Sequence, residues 1–255
     1  MKIDINSDMG EGFGHWKVGD DAALMQVVSS ANIACGFHAG DAVIMDRTVR
    51  MAKERKVSIG AHPGLPDLMG FGRRVIQMEP AELEKHMIYQ IGALQGIAAA
   101  AGHRVTHVSY HAALGNMATA DRDVADLLSR AIKRIDRELI IYSMPGTEVE
   151  RAAERAGLRT LTLFLADRAY DENSNLVSRK KPNSVITAPD AVAARVRQFL
   201  DDGTVTSIEG KRLKVRARSI LVHSDTPGSV ELARTVRQVV ESGGGTVTPA
   251  AEFLS

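Results

Sequence analysis

Imidazoles and carboxylates recur in six short runs of this chain: Asn6-Ser7-Asp8-Met9-Gly10-Glu11-Gly12, Cys35-Gly36-Phe37-His38-Ala39-Gly40-Asp41, Gly60-Ala61-His62-Pro63-Gly64, Tyr110-His111-Ala112-Ala113-Leu114-Gly115-Asn116, Ala166-Asp167-Arg168-Ala169-Tyr170 and His223-Ser224-Asp225. Histidine beside a carboxylate serves as general acid and base near neutral pH. Neutral imidazole with an Asp oxygen also holds a divalent metal. Asp8, His38 and His62 suit an Asp/His/His metal site with a position open to water, a geometry fitted to hydrolysis of an amide or ester. Asp8 with His38 is the catalytic or metal pair, and Glu11, His62, His111 and His223 are further groups of the same site. Arg168 is a clamp for a carboxylate or phosphoryl group, with Asp167 and Asp225 orienting cationic neighbours.

Each residue also has a structural use. Asp41 and Asp225 are placed to cap the helices that follow them, and Glu11 is placed as a solvated loop carboxylate. Cys35 reads as a small buried hydrophobe. His15, His86, His103 and His107 fall outside the pattern and are expected on the surface or on helices.

Seven short runs rich in Val, Ile or Leu read as strands: Lys2–Asn6, Asn32–Cys35, Val57–Gly60, Val105–Ser109, Leu139–Tyr142, Thr160–Leu165 and Ser219–Val222. Between them, Ile44/Thr48/Met51/Ala52, Leu83/Met87/Ile91/Leu94, Val192/Val196/Phe199 and Leu232/Val236/Val239 keep helical spacing. Alternating strands and helices make parallel strands joined by right-handed crossovers. Seven such units favour a closed barrel; an open doubly wound sheet is the other arrangement. In either, the carboxyl ends of the strands form one rim, and the six runs fall there. Val205–Arg218 reads as an inserted hairpin, near 204–218, and Asp171–Asn183 as a polar, basic loop. Gly12–Gly19 reads as a lid over the rim. No linker divides residues 1–255, which are expected to form one domain.

The chain has 255 residues, 44% hydrophobic and 25% charged, with net charge +1, which excludes global disorder and gives no electrostatic case for nucleic acid or membrane binding. The single cysteine cannot form an internal disulfide and suits a reducing cytoplasm. Neither a secretory signal nor an apolar stretch of spanning length is present. There is no phosphate-cradling Gly-x-x-x-x-Gly-Lys-Ser/Thr loop, and Gly10, Gly12 and Gly14 have the wrong spacing for a dinucleotide fingerprint.

The opening Lys2-Ile3-Asp4-Ile5-Asn6-Ser7-Asp8-Met9-Gly10-Glu11, the run Ser30–Asp41 containing Asn-Ile-Ala-Cys-Gly-Phe-His-Ala-Gly-Asp, Ile59–Pro63, Tyr89–Leu94 and Ala166–Tyr170 resemble the lactam-utilisation (LamB/YcsF) family, the A-type component of ATP-dependent bacterial 5-oxoprolinase. The resemblance covers nearly the whole chain. It implies a distorted seven-stranded parallel β/α, TIM-like barrel of the glycoside hydrolase/deacetylase type. It further implies cytoplasmic opening of the 5-oxoproline lactam to glutamate, with B- and C-type partner subunits supplying ATP-driven phosphorylation. The chain departs from the family pattern at Ser109 (a lysine there), Gly115 (a tyrosine), Leu163 (a glutamate) and Ser224 (a glycine). Loss of that cation and carboxylate either removes a linked charge pair or changes the anchor for an anionic substrate, which leaves open a paralogue acting on another lactam or cyclic amide. A metal-dependent amidohydrolase or deacetylase, and a ligand-binding paralogue without turnover, remain as alternatives, and a homo-oligomer is left open.

Overall fold

The computed structural model describes residues 1–254. In chain order the elements are β1 (Lys2–Met9), α1 (Asp21–Leu24), β2 (Ser30–Ala34), α2 (Ala42–Arg55), β3 (Ser58–His62), α3 (Pro80–Ala100), β4 (Val105–Ser109), α4 (Ala112–Ala120), α5 (Arg122–Ile135), β5 (Ile140–Ser143), α6 (Glu148–Ala156), β6 (Thr160–Leu165), α7 (Pro189–Asp202), β7 (Thr204–Thr206), β8 (Arg212–Lys214), β9 (Ser219–Leu221), α8 (Ser229–Ser242) and β10 (Thr246–Val247). Single 3-10 turns cover Leu68–Gly70 and Ala250–Glu252.

Strands β1 to β6 pair in order and in parallel, β9 pairs with β6, and β9 also pairs with β1, at Asn6↔Leu221. That last pairing closes a seven-stranded barrel. β10 adds to β1 at Lys2 and Ile3, below the register of β9. β7 and β8 form a separate antiparallel hairpin.

The helices form the outer layer because each presents one apolar stripe to the strands. In α2, Ile44, Met45, Thr48, Val49 and Ala52 are buried, and Asp41 caps the first turn by accepting from the Val43 and Ile44 amides. In α5, Asp121 caps, and Ala125, Leu128 and Ile132 face inward. Long α3 buries Leu83, Met87, Gln90, Ile91 and Leu94. Its Gln90 both donates to and accepts from the backbone of Gly64, fixing the chain just beyond His62.

The interior of the barrel differs from its outer layer. On β1, Ile3 and Ile5 belong to the apolar core, while the alternate residues Asp4, Asn6 and Asp8 hydrogen-bond to side chains of other strands. Asp4 is fully buried and accepts from Ser29, Ser30, Ser219 and Tyr142. Desolvation therefore raises its pKa, against the pull of those four hydroxyls. β1 runs three residues beyond the expected strand end at Asn6, because Asn6 and Asp8 are inward-facing strand positions.

His107 corrects the expectation of a surface or helix position. It lies on β4 at 1% exposure, its Nε2 donating to Asn32 Oδ1 at 2.9 Å and its ring stacked on Tyr142 at 4.2 Å. Gly60 on the neighbouring strand leaves room for it: a Cβ there would stand 2.1 Å from the imidazole. Burial drives the His107 pKa down to about 3, so the ring is neutral. His103 is half-buried and bonds the Val57 carbonyl, His86 lies on α3, and His15 is exposed.

Candidate active site

The parallel register brings the carboxyl ends of all seven barrel strands to one mouth. Asp8 is the penultimate residue of β1, His62 ends β3, Ser109 ends β4, and His38, His111, Asp167 and His223 follow closely on β2, β4, β6 and β9. Three of the imidazoles converge on Glu11. Glu11 Oε1 lies 3.3 Å from His38 Nε2, 3.4 Å from His111 Nδ1 and 3.8 Å from His62 Nε2. His62 Nε2 lies 3.0 Å from His111 Nδ1. All are buried, which excludes the solvated-loop reading of Glu11. Asp8 stands beside the group, 3.5 Å from His62 Nε2, and is held by Asn32.

Neighbouring carbonyls decide the tautomers. His62 Nδ1 is 2.7 Å from the Ser109 carbonyl, and His111 Nε2 is 2.8 Å from that of Phe71. A carbonyl only accepts, so both of those nitrogens carry the proton. In the neutral rings, His62 Nε2 and His111 Nδ1 then face each other with lone pairs. Burial first, then neighbouring imidazoles, holds the His38 and His111 pKa values well below the ordinary range, so these rings stay neutral. Burial, then the charges of Asp8 and Asp225, pushes the Glu11 carboxyl well above its usual range.

Facing lone pairs are repulsive unless a proton or cation lies between them. A tetrahedral ion with ~2.0–2.1 Å bonds to nitrogen and oxygen needs donor separations of about 3.3 Å. The separations among Glu11, His62 and His111, 3.0–3.8 Å, bracket that value, as does Glu11 to His38 at 3.3 Å. All four donor atoms lie within 4.8 Å of one another, and His38 must turn out of its flat stack on His111 to join the other three. The ligand set that fits is thus Glu11, His38, His62 and His111; of the Asp8, His38 and His62 set expected from sequence, Asp8 lies alongside. Carbonyl hydrogen bonds on the far nitrogens of His62 and His111 are the support such ligands require.

His223 and Asp167 form a second unit. Asp167 is fully buried and accepts from His223 Nδ1 at 3.0 Å, from the His223 amide and from Thr226 Oγ1. Burial opposes charge on both groups, but the ion pair outweighs it. The pKa of His223 is raised and that of Asp167 lowered. His223 Nε2 makes no protein hydrogen bond among the described residues.

A cavity of about 550 Å³ joins these units. Asp8, Glu11, His62, His111, Arg168, His223 and Asp225 all line it. His38 and Asp167 lie behind it: His38 is stacked flat on His111 at 3.7 Å, and Asp167 backs His223. Asp225 does not cap a helix. It pairs with Arg73 and, at 3.4 Å, with Arg179. Arg168 gives two of its donors to the carbonyls of Val177 and Ser184 and so holds the loop that carries Arg179.

Sequence reasoning misses Arg73, Arg179, Asn32 and the role of His107. The arginines sit in loops after β3 and β6 with no motif around them. Asn32 and Asp4 have a signal in the period-2 alternation of polar residues on β1 and β2. Ser109, Gly115 and Leu163 also line the cavity. Ser224 donates to Glu11 Oε2 at 3.1 Å. The Gly12–Gly19 loop is pinned: Phe13 and Trp16 exchange backbone bonds, and the Gly14 amide donates to Asp41.

Comparison with known proteins agrees along the whole length. The LamB/YcsF family matches residues 3–255. The chain is 70% identical to a 5-oxoprolinase component of the A type from Bradyrhizobium diazoefficiens, covering 100% of both. It superposes on the crystal structure of a lactam utilization protein from Thermus thermophilus with TM-score 0.92 and 40% identity, covering 97% of this chain and 99% of that one. A polysaccharide deacetylase from Bacillus cereus shares the fold at 13% identity, TM-score 0.51, with 99% and 94% covered.

Proposed function

The chain belongs to the LamB/YcsF family, and on that premise we propose that it opens the lactam ring of 5-oxoproline to glutamate as the A-type component of an ATP-dependent 5-oxoprolinase. The observation that carries this reading is the shared cavity, with the Glu11–His62–His111 group and the Asp167-backed His223 both lining or supporting its wall. Ring opening needs water added at the carbonyl carbon and a proton delivered to the departing nitrogen. The protonated His223, poised by Asp167, holds a proton at Nε2 for that nitrogen. Asp8, which pairs with no lysine or arginine among the described residues, accepts the proton of the attacking water.

An unactivated lactam resists this chemistry, and the chain has no phosphate-cradling loop. Activation of the lactam oxygen by phosphoryl transfer from ATP therefore falls to B- and C-type partner subunits in the cytoplasm, and a second water releases the phosphate from the acyl phosphate that ring opening leaves. Glu11, His38, His62 and His111 would hold a divalent ion. Such an ion supplies Lewis acidity and a more acidic water when bound. The residue roles, the ion and the partners are parts of this proposal.

A second reading, a free-standing metal-dependent amide hydrolase, is favoured by the fit of the four-donor group to an ion. Turnover of 5-oxoproline with and without ATP and the partner subunits separates the two. Glutamate formed only in the full mixture supports the first reading, and ATP-independent turnover by the chain alone supports the second.

A further inference from the structure

We propose that Arg73 and Arg179 form the subsite for the carboxylate of the lactam substrate, with Asp225 as the internal anion that occupies the subsite until substrate arrives. This rests on the 5-oxoproline reading. The two guanidiniums come from different loops, after β3 and after β6, and meet on one carboxylate that follows β9. All three residues line the cavity. Arg73 and Arg179 are 43% and 28% exposed, and Asp225 is 18% exposed, so the trio is open to a solute.

Two guanidiniums offer ten N–H donors, and a single carboxylate cannot satisfy them. The trio therefore carries net charge +1 and spare donors, and each guanidinium is a planar fork suited to a second carboxylate. Arg168 has already given two donors to backbone carbonyls, and the wall positions Ser109 and Leu163 carry no charge.

The subsite also lies next to the reacting groups. Arg73 stacks over Phe71 at 5.1 Å. The Phe71 ring meets His38 and His111 edge-on, and its carbonyl accepts from His111. On the other side, Ser224, the neighbour of Asp225, donates to Glu11. A carboxylate held where Asp225 now lies thus sets the attached ring beside Glu11, His62 and His111.

The test is equilibrium binding of 5-oxo-L-proline and of 2-pyrrolidone, the same ring without the carboxylate, to the full-length chain. Wild type should prefer 5-oxoproline by about 10- to 100-fold, the worth of one or two charged hydrogen bonds. Arg73→Gln and Arg179→Gln should each lose most of that preference while 2-pyrrolidone binds as before, which also shows that the variants are folded. Asp225→Asn should bind 5-oxoproline more tightly. Variants that keep the full preference overturn the subsite, and weaker binding by Asp225→Asn overturns the role given to Asp225. A wild-type chain that binds neither ligand overturns the 5-oxoproline reading and the subsite with it.

Discussion

The Asn32 side chain holds Asp8: its Nδ2 donates to Asp8 Oδ1 at 2.9 Å and to Asn6 Oδ1 at 2.8 Å. That amide tops a column of hydrogen bonds through the barrel interior. Asn6 Nδ2 donates to Ser219 Oγ, which donates to Asp4. His107 donates to Asn32 from the side. The mouth of the barrel therefore stands on a buried polar network, and such networks are stable only when every member is satisfied.

Asn32→Leu should expose that dependence. It strips a partner from His107 Nε2, Asn6 Oδ1 and Asp8 Oδ1, and each buried polar group left alone costs ~1–3 kcal/mol. Urea unfolding should show a loss of about 3 kcal/mol or more. A variant as stable as wild type would mean that the column contributes nothing to stability.

Removal of a bound divalent ion should destabilise the protein. Three imidazoles and a carboxylate suit Zn²⁺ best. Elemental analysis should find one equivalent, chelation should lower Tm, and re-addition should restore it; at a free ion concentration of about 100 Kd the stabilisation is ~2.7 kcal/mol. His62→Ala should abolish the response. Metal-free protein whose Tm ignores both chelator and added ion would exclude the site.

The His223–Asp167 pair predicts a pH window. The His223 pKa is raised in the folded state, so its stabilisation is fully present below the ordinary value of ~6.5 and is lost as pH rises through the folded value. The Asp167 pKa is lowered, so its share is present above ~3.9 and is lost as pH falls through the folded value. The Tm gap between wild type and His223→Gln should be widest between those limits and should shrink above neutrality. Turnover by His223→Gln should fall ~10²–10⁴-fold if His223 supplies the proton. Near-normal turnover would remove it from the mechanism.

Gly72→Ala should damage the site more than the fold. Gly72 has φ +63°, and a Cβ there would lie 2.7 Å from both His38 Cβ and His111 Cδ2. Left-handed backbone costs alanine ~1–2 kcal/mol, and the methyl wedges against the stacked imidazoles. Ion binding and turnover should drop sharply while circular dichroism stays native. Full activity would show that the stack tolerates displacement.

The sequence by itself determined the class of fold and the location of the site. Seven apolar runs alternating with helical stripes dictate parallel strands, and parallel strands must bring Asp8, His62, His111 and His223 to one rim because all their carboxyl ends point the same way. Only the tertiary structure decided which of these groups meet. Glu11, His38 and His111 converge on His62, the last residue of β3, because the segments after β1, β2 and β4 fold inward together, and the paths of such segments are not encoded by periodicity. His107 escapes sequence reasoning for a related reason: it sits mid-strand, and its burial depends on Gly60 and Tyr142, contributed by strands far away in sequence. Arg73 and Arg179 likewise acquire a shared partner only when the barrel closes, since no local pattern links residues separated by more than a hundred positions.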